Sequence, residues 1–324
     1  MKILLAAILI AAAGGPASAR WKFDPVLEIS PDGKHFMAAF GGNLNIGVIK
    51  GAEKKFTGAV ALGDSFNWTA IGFTPDSKRV AVALLKEDEL RYYSLDARFL
   101  GAVREVAPLR VSRSFKWALD SHEEDGAEKN VLGLISGERF SPKFVLPADL
   151  EHAELSPDDK LAAFSIYRPA KDGKKGISAL QLLSLKTGKY LKKYSPELFG
   201  PIGHVRFSPD GGSLAFADSD GQVRLVRLSD WKFTGSVSKR GKLVFAMDFS
   251  PDGSMLAVGY GEGLRVYSLP DLRVIIDRDF TGTLDTDWNI NDVAFAKDGS
   301  FVAVLVWTKA ADGHSVKFID IKRR

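Results

Sequence analysis

The chain has 324 residues, 45% of them hydrophobic and 26% charged, with a formal net charge of +4 and no cysteine. That composition supports a large folded core and argues against disorder. The basic excess is small and dispersed, which argues against a nucleic-acid surface, and the missing cysteine excludes disulfides, thiolate metal sites and a lipid-anchored N-terminus.

Residues 1–19 have a charged start at Lys2, an apolar run from Ile3 to Ala13, a Gly14-Gly15-Pro16 break and a small-residue site at Ala17-Ser18-Ala19. This pattern predicts a cleaved secretory signal, so a periplasmic or secreted protein is expected. The apolar run is too short to span a bilayer, and no later segment is long enough, so no membrane span is expected.

From residue 20 onward the sequence repeats. Ser30-Pro31-Asp32-Gly33, Thr74-Pro75-Asp76-Ser77, Ser156-Pro157-Asp158-Asp159, Ser208-Pro209-Asp210-Gly211, Ser250-Pro251-Asp252-Gly253 and Ala296-Lys297-Asp298-Gly299 each precede an apolar run. Proline, aspartate and glycine at these places specify a tight turn. The aspartates are spaced by 44, 82, 52, 42 and 46 residues. The double gap hides a third copy, read here from the likeness of Ser114–Leu119 to Ser300–Leu305, with its turn shortened to a tight link at Ser112-Arg113. Seven copies of about 44 residues result, each with four short β-strands A to D and no helical periodicity. The expected fold is all-β: a seven-bladed β-propeller of four-stranded antiparallel blades, roughly 25–66, 67–106, 107–148, 149–198, 199–240, 241–284 and 285–324.

The recurring Ser-Pro-Asp-Gly between strands A and B resembles the WD40-like propellers, here over nearly the whole of residues 20–324. Two marks of true WD40 repeats are missing: Gly203-His204 stands alone, and strand C ends in Leu95-Asp96, Leu228-Ser229 or Ile319-Asp320 rather than Trp-Asp. The last copy stops after strand C. Trp21-Lys22-Phe23 repeats Trp231-Lys232-Phe233 at the start of a strand D, so residues 20–24 are expected to pair as the outer strand of the seventh blade and close the ring.

Two places before each turn serine, or its equivalent, stand Glu28, Gly72, Arg110, Glu154, Arg206, Asp248 and Ala294. Arg110, Glu154, Arg206 and Asp248 alternate in sign and predict an ionic chain of structural character around the central channel. The longer segments, Asp120–Asn130, Arg168–Gly176, Asp279–Asn291 and Thr308–Ser315, all fall on the face of the B–C and D–A connections. Function tends to sit on such loops. The candidate binding residues there are Trp68, Trp288 and Trp307 as aromatic anchors, acidic Glu123 and Glu124, and basic Arg168 and Lys171. The acidic and basic loops are also placed to pair with one another across neighbouring blades.

No nucleophile elbow, metalloprotease helix, phosphate loop or dinucleotide fingerprint occurs, so no catalytic residue is expected. No metal or cofactor is expected either. Asp285–Asp292 has an oxygen-rich rhythm but lacks the glycine and glutamate of an EF-hand, and His152 and His204 occupy matching strand-A places. The function expected is a non-catalytic, monomeric interaction scaffold for a protein partner in the cell envelope. The alternative is a small-ligand or metal-dependent hydrolase, resembling propeller lactonases, with its site at the channel mouth.

Overall fold

A computed structural model describes residues 26–40, 42–63, 68–106, 108–124, 127–168, 177–194, 201–239, 242–261, 263–280, 290–308 and 313–321. These residues form 27 strands in seven antiparallel sheets. The first blade holds β1 (Val26–Ile29), β2 (His35–Phe40), β3 (Asn43–Lys50) and β4 (Glu53–Ala61). The second holds β5 (Trp68–Phe73), β6 (Arg79–Leu84), β7 (Glu89–Ser94) and β8 (Phe99–Arg104), and the third β9 (Arg110–Val111), β10 (Trp117–Glu124), β11 (Ala127–Ser136) and β12 (Arg139–Leu146). The fourth holds β13 (Leu150–Leu155), β14 (Leu161–Arg168), β15 (Ile177–Ser184) and β16 (Tyr190–Tyr194), and the fifth β17 (Ile202–Phe207), β18 (Ser213–Asp218), β19 (Gln222–Arg227) and β20 (Lys232–Ser238). The sixth holds β21 (Val244–Phe249), β22 (Met255–Tyr260), β23 (Gly263–Ser268) and β24 (Val274–Asp279), and the seventh β25 (Ile290–Phe295), β26 (Phe301–Thr308) and β27 (Gly313–Asp320). The fold is the expected seven-bladed propeller. Residues 20–24, assigned above to the outer strand of the seventh blade, lie outside the described residues, as do residues 1–19.

First strands of successive blades touch, as in β13 with β17, β17 with β21, β21 with β25 and β25 with β1, so strand A is innermost. Among the described residues seven apolar clusters fill the seams, one between each pair of neighbouring blades. The cluster that joins Leu27 and Ala38 to Ala294, Phe301 and Leu305 closes the circle from the seventh blade to the first. Strand B is sandwiched between seams on both sides. That explains its unbroken apolar runs, such as the fully buried Met255–Tyr260. Gly259 in that strand leaves room for the next blade: a Cβ there would lie 2.5 Å from Ile290 Cγ2.

The A–B turn shows how the repeat works. In the first blade the Ser30 hydroxyl donates to Asp32 (2.6 Å), and Asp32 accepts the Lys34 N–H (3.0 Å). Ser30 Oγ also accepts the His35 N–H (2.9 Å), and the Gly33 N–H closes the turn onto the Ser30 carbonyl (2.8 Å). The third blade keeps this frame, which corrects the shortened link expected at Ser112-Arg113. There the Phe115 N–H donates to the Ser112 carbonyl (2.8 Å), the Trp117 N–H to Ser112 Oγ (3.2 Å) and the Lys116 N–H to Ser114 Oγ (3.2 Å). Ser114 therefore replaces the aspartate and Phe115 the glycine, and the turn has its full length. A serine hydroxyl accepts the same backbone bond as a carboxylate, so the geometry outlasts the motif.

Candidate functional site

The B–C/D–A face differs from blade to blade. In the second, fifth and sixth blades strands B and C each have 6 residues, whereas β14, β15, β26 and β27 have 8, and β10 and β11 have 8 and 10. Hairpins of the third, fourth and seventh blades thus extend further along this face. The acidic segment read as a loop over 120–130 is largely strand, with Asp120 opposite Val131 and Glu124 opposite Ala127. Charge did not prevent the backbone pairing, which runs from Trp117 opposite Leu134 to Glu124 opposite Ala127. Asp120, at the base, is buried, and its Oδ2 lies 3.0 Å from His122 Nδ1.

The candidate residues on this face are spread over several blades. Trp68 opens β5 and Glu123 and Glu124 end β10, but their side chains lie outside the described residues, as do Trp288 and Lys171 altogether. Trp307 is half-buried near the end of β26, opposite His314 in register. His314 stacks on Phe40 of the first blade, with ring centroids 5.3 Å apart. An aromatic group therefore spans the seam between the last and first blades. Arg168 Nε donates to Asp149 Oδ2 of its own blade (2.6 Å), a partner that charge patterning did not suggest.

The innermost strands carry the titratable groups. Arg206 pairs with Glu154 across the fourth and fifth blades at 3.5 Å, with both side chains about three-quarters buried (25% and 23% exposed). Arg206 and Arg110 also donate to the carbonyls of Val205 (3.1 Å) and Leu109 (3.3 Å). Asp248 instead accepts the Phe295 N–H of the seventh blade (2.8 Å). Two further carboxylates act in the same way. Glu28 accepts the Phe73 N–H of the second blade (3.1 Å), and Asp292 accepts the Leu27 N–H of the first (2.8 Å). The sequence marked Glu28 by position but gave no hint of its partner, and it read Asp292 only as the end of the oxygen-rich Asp285–Asp292 run, because Asp292 lies four places before the turn.

Burial pushes Glu28 up to about 8, against the lowering effect of the Phe73 N–H and Arg113. It likewise pushes Asp248 and Asp292 up to about 6, each partly offset by backbone donors and arginines. His152 and His204 lie side by side with centroids 5.9 Å apart. Burial, followed by Arg206 and Arg110, lowers His204 to about 3; burial, followed by Arg110 and Arg206, holds His152 well below the ordinary imidazole value. Both imidazoles are neutral at pH 7. Among the described residues no group of three or more histidine, cysteine or acidic side chains is placed to hold a metal ion.

Comparison with known proteins bears on this architecture. Residues 205–275 match the model described as the anaphase-promoting complex subunit 4 WD40 domain. The WD repeat-containing protein SL1-17 of Schistosoma mansoni is 28% identical over 145 residues, 45% of this chain and 44% of that protein. These matches support a WD40 β-propeller. The U3 small nucleolar RNA-associated protein 4 homolog of Homo sapiens is 26% identical over 119 residues, 35% of this chain, and that of Mus musculus 25% over the same span. The match spans less than half of the schistosome relative and 17% of the mammalian ones.

The expected periplasmic or secreted location is corrected by the same findings. The relatives are eukaryotic, and two are named for association with a small nucleolar RNA, findings that overturn the periplasmic or secreted expectation. A short apolar run is a compositional cue only, and a chain without cysteine is as compatible with a reducing compartment as with an oxidising one. Among the described residues no helix is long and apolar enough to cross a membrane.

Proposed function

We propose that this chain is a non-catalytic protein-interaction scaffold that acts as a monomer and presents its B–C/D–A face to a protein partner. The observation that carries this reading is the unequal reach of the B–C hairpins. Seven seams of matched apolar packing make a rigid ring, and on that ring only the third, fourth and seventh blades have lengthened hairpins among the described residues. Variable hairpins on a fixed scaffold are what a recognition surface requires. Trp307 and Arg168 are its described contact candidates, with Trp68, Trp288, Lys171, Glu123 and Glu124 assigned to the same surface. The relatives favour an intracellular partner. The test is affinity capture from extract by the purified chain, compared with Trp307→Ala and Arg168→Glu. The expected result is at least tenfold lower recovery of a specific partner with folding unchanged by circular dichroism. Equal recovery by both variants overturns the assignment.

One observation favours a second reading, a small-ligand or hydrolase site at the channel mouth: the adjacent neutral histidines His152 and His204 beside two arginines. Hydrolysis of a chromogenic lactone that disappears in His204→Ala would support it, and no turnover by the native chain would dismiss it.

A further inference from the structure

The opposite face, made of A–B and C–D turns, is not uniformly closed. A cavity of about 610 Å³ opens in the seam between the fifth and sixth blades. Its volume falls in the range of small-ligand and peptide pockets. The apolar floor comes from both blades: Leu225 and Phe249 are buried, and Leu269 and Leu272 pack half-buried against the same cluster. Pro209 and Pro251, from successive A–B turns, form the inner wall.

The outer wall depends on two linked backbone features. Leu272 sits at a left-handed φ of 59°, and its side chain closes over Gly235 of the neighbouring blade. A Cβ at Gly235 would stand 2.4 Å from Leu272 Cδ1, so the glycine is what lets Leu272 sit there. Thr234, an exposed residue beside it, donates from Oγ1 to the Leu225 carbonyl (3.2 Å) and keeps the lip narrow.

Two of the three charged residues on the rim are carboxylates. Asp210 and Asp252 border the opening. The Ser208 hydroxyl and the Gly212 N–H hold the Asp210 carboxyl below the ordinary carboxylate range. Arg227 also borders the cavity, but its charge is balanced by the forked contact of Nε (3.0 Å) and Nη2 (2.9 Å) with Asp230. An apolar floor beneath two carboxylates fits a bulky apolar group flanked by cations.

From this geometry we infer a second docking site on the turn face, in which the seam between the fifth and sixth blades receives an extended peptide segment with a leucine-sized side chain between lysines or arginines. The apolar side chain enters over Leu225 and Phe249, and the flanking cations lie against Asp210 and Asp252. The site is independent of the B–C/D–A face. If both operate, the ring holds two partners on opposite sides, which a scaffold needs and a single-face binder lacks.

The probe is a fluorescein-labelled peptide, Gly-Lys-Leu-Lys-Gly, titrated against the full chain by anisotropy. Saturable binding is expected at or below about 1 mM. The versions Gly-Glu-Leu-Glu-Gly and Gly-Lys-Gly-Lys-Gly should each bind at least tenfold more weakly. Thr234→Trp places a large side chain over the lip from an exposed position and should abolish binding. Asp210→Asn with Asp252→Asn keeps a hydrogen-bond acceptor in each turn, removes both charges and should weaken binding about tenfold. Thermal melting of each variant confirms that the ring is intact. No saturation by the lysine peptide, equal binding of the glutamate peptide, or full binding by Thr234→Trp overturns the site. Arg168→Glu, on the other face, should leave probe binding unchanged; a loss there would also count against a site on the turn face.

Discussion

The ring is held together in two different ways along its circumference. From the sixth blade through the seventh to the first and second, carboxylates on the innermost strands accept a backbone N–H from the next blade: Asp248 from Phe295, Asp292 from Leu27 and Glu28 from Phe73. From the first blade to the fourth, side chains on the turn face reach back to the blade before. Ser77 Oγ accepts the Asp32 N–H (2.9 Å), Phe115 packs its ring against Tyr92, and Asp159 accepts the Ser114 hydroxyl. All three reaching residues occupy the left-handed turn position that glycine fills in the first, fifth, sixth and seventh blades, with φ between 57° and 60°. The lesson is that one repeat offers two places to lock a seam. Where the turn keeps its glycine it has no side chain to extend, and in the seams leading to the seventh and first blades the lock falls to the channel.

The channel lock should be the stronger, and the closing seam is the place to test it. Asp292 Oδ2 is the acceptor for the N–H of the buried Leu27, and Oδ1 serves the N–H of Val293 (2.8 Å). Asp292→Ala leaves these donors without their acceptor, at an expected cost of about 1–3 kcal/mol. Urea denaturation should be run near pH 5, below the raised value of about 6, where the carboxyl is neutral and the cost reflects the hydrogen bonds rather than a buried charge. Glu154→Ala, in the partly exposed pair with Arg206, should cost about 1 kcal/mol or less. If Glu154→Ala is the more damaging, the backbone-accepting carboxylate is not the stronger of these two channel contacts.

A pH series tests the channel lock next. Glu28 is pushed up to about 8 in the fold from the ordinary 4.5, so the folded chain holds a proton that the unfolded chain has released. Its contribution to stability is complete below about 4.5 and is lost as pH rises through 8. Asp248 and Asp292 act in the same sense but finish near 6. His152 and His204 act oppositely: their lowered values remove stability as pH falls below the ordinary 6.5. Above about 6.5 the Glu28 slope therefore stands alone among these five groups. The native chain should lose up to about 2 kcal/mol between pH 6.5 and 8, and Glu28→Gln should flatten that slope. An unchanged slope in the variant would show that Glu28 is not the titrating lock.

The sequence made the ring legible and its seams only partly so. Proline, aspartate and glycine announce a turn because each acts on its own backbone, and six such turns, spaced by 42 to 52 residues apart from one gap of 82, require a repeat. The third turn was misread by two residues because Ser114 and Phe115 preserve the bonds without the motif. The acidic 120–130 segment looked like a loop because its charges mask the pairing of β10 with β11. Glu28 and Asp248 were visible as a pattern, yet their acceptor role needs a backbone N–H from another blade, which no local pattern encodes. The groove by Leu225 and Leu272 is of the same kind, since it exists only where two blades meet. Export was the reading most dependent on composition, and it is the one that the relatives overturn.

The smallest expected effect tests why a turn without glycine survives. Ser77 is buried at φ 58°, a conformation that costs a side-chain-bearing residue roughly 1–2 kcal/mol. The bond from the Asp32 N–H returns about 1 kcal/mol of that. Ser77→Ala keeps the strain and loses the bond, so it should destabilise by about 1 kcal/mol. Ser77→Gly loses the same bond but also sheds the strain, so its urea midpoint should stay near that of the native chain. The two variants differ by one methyl group, and their difference isolates the backbone contribution. Equal destabilisation by both would mean that the left-handed residue carries no strain here. The reach from Ser77 to Asp32 would then be an added lock rather than compensation for a missing glycine.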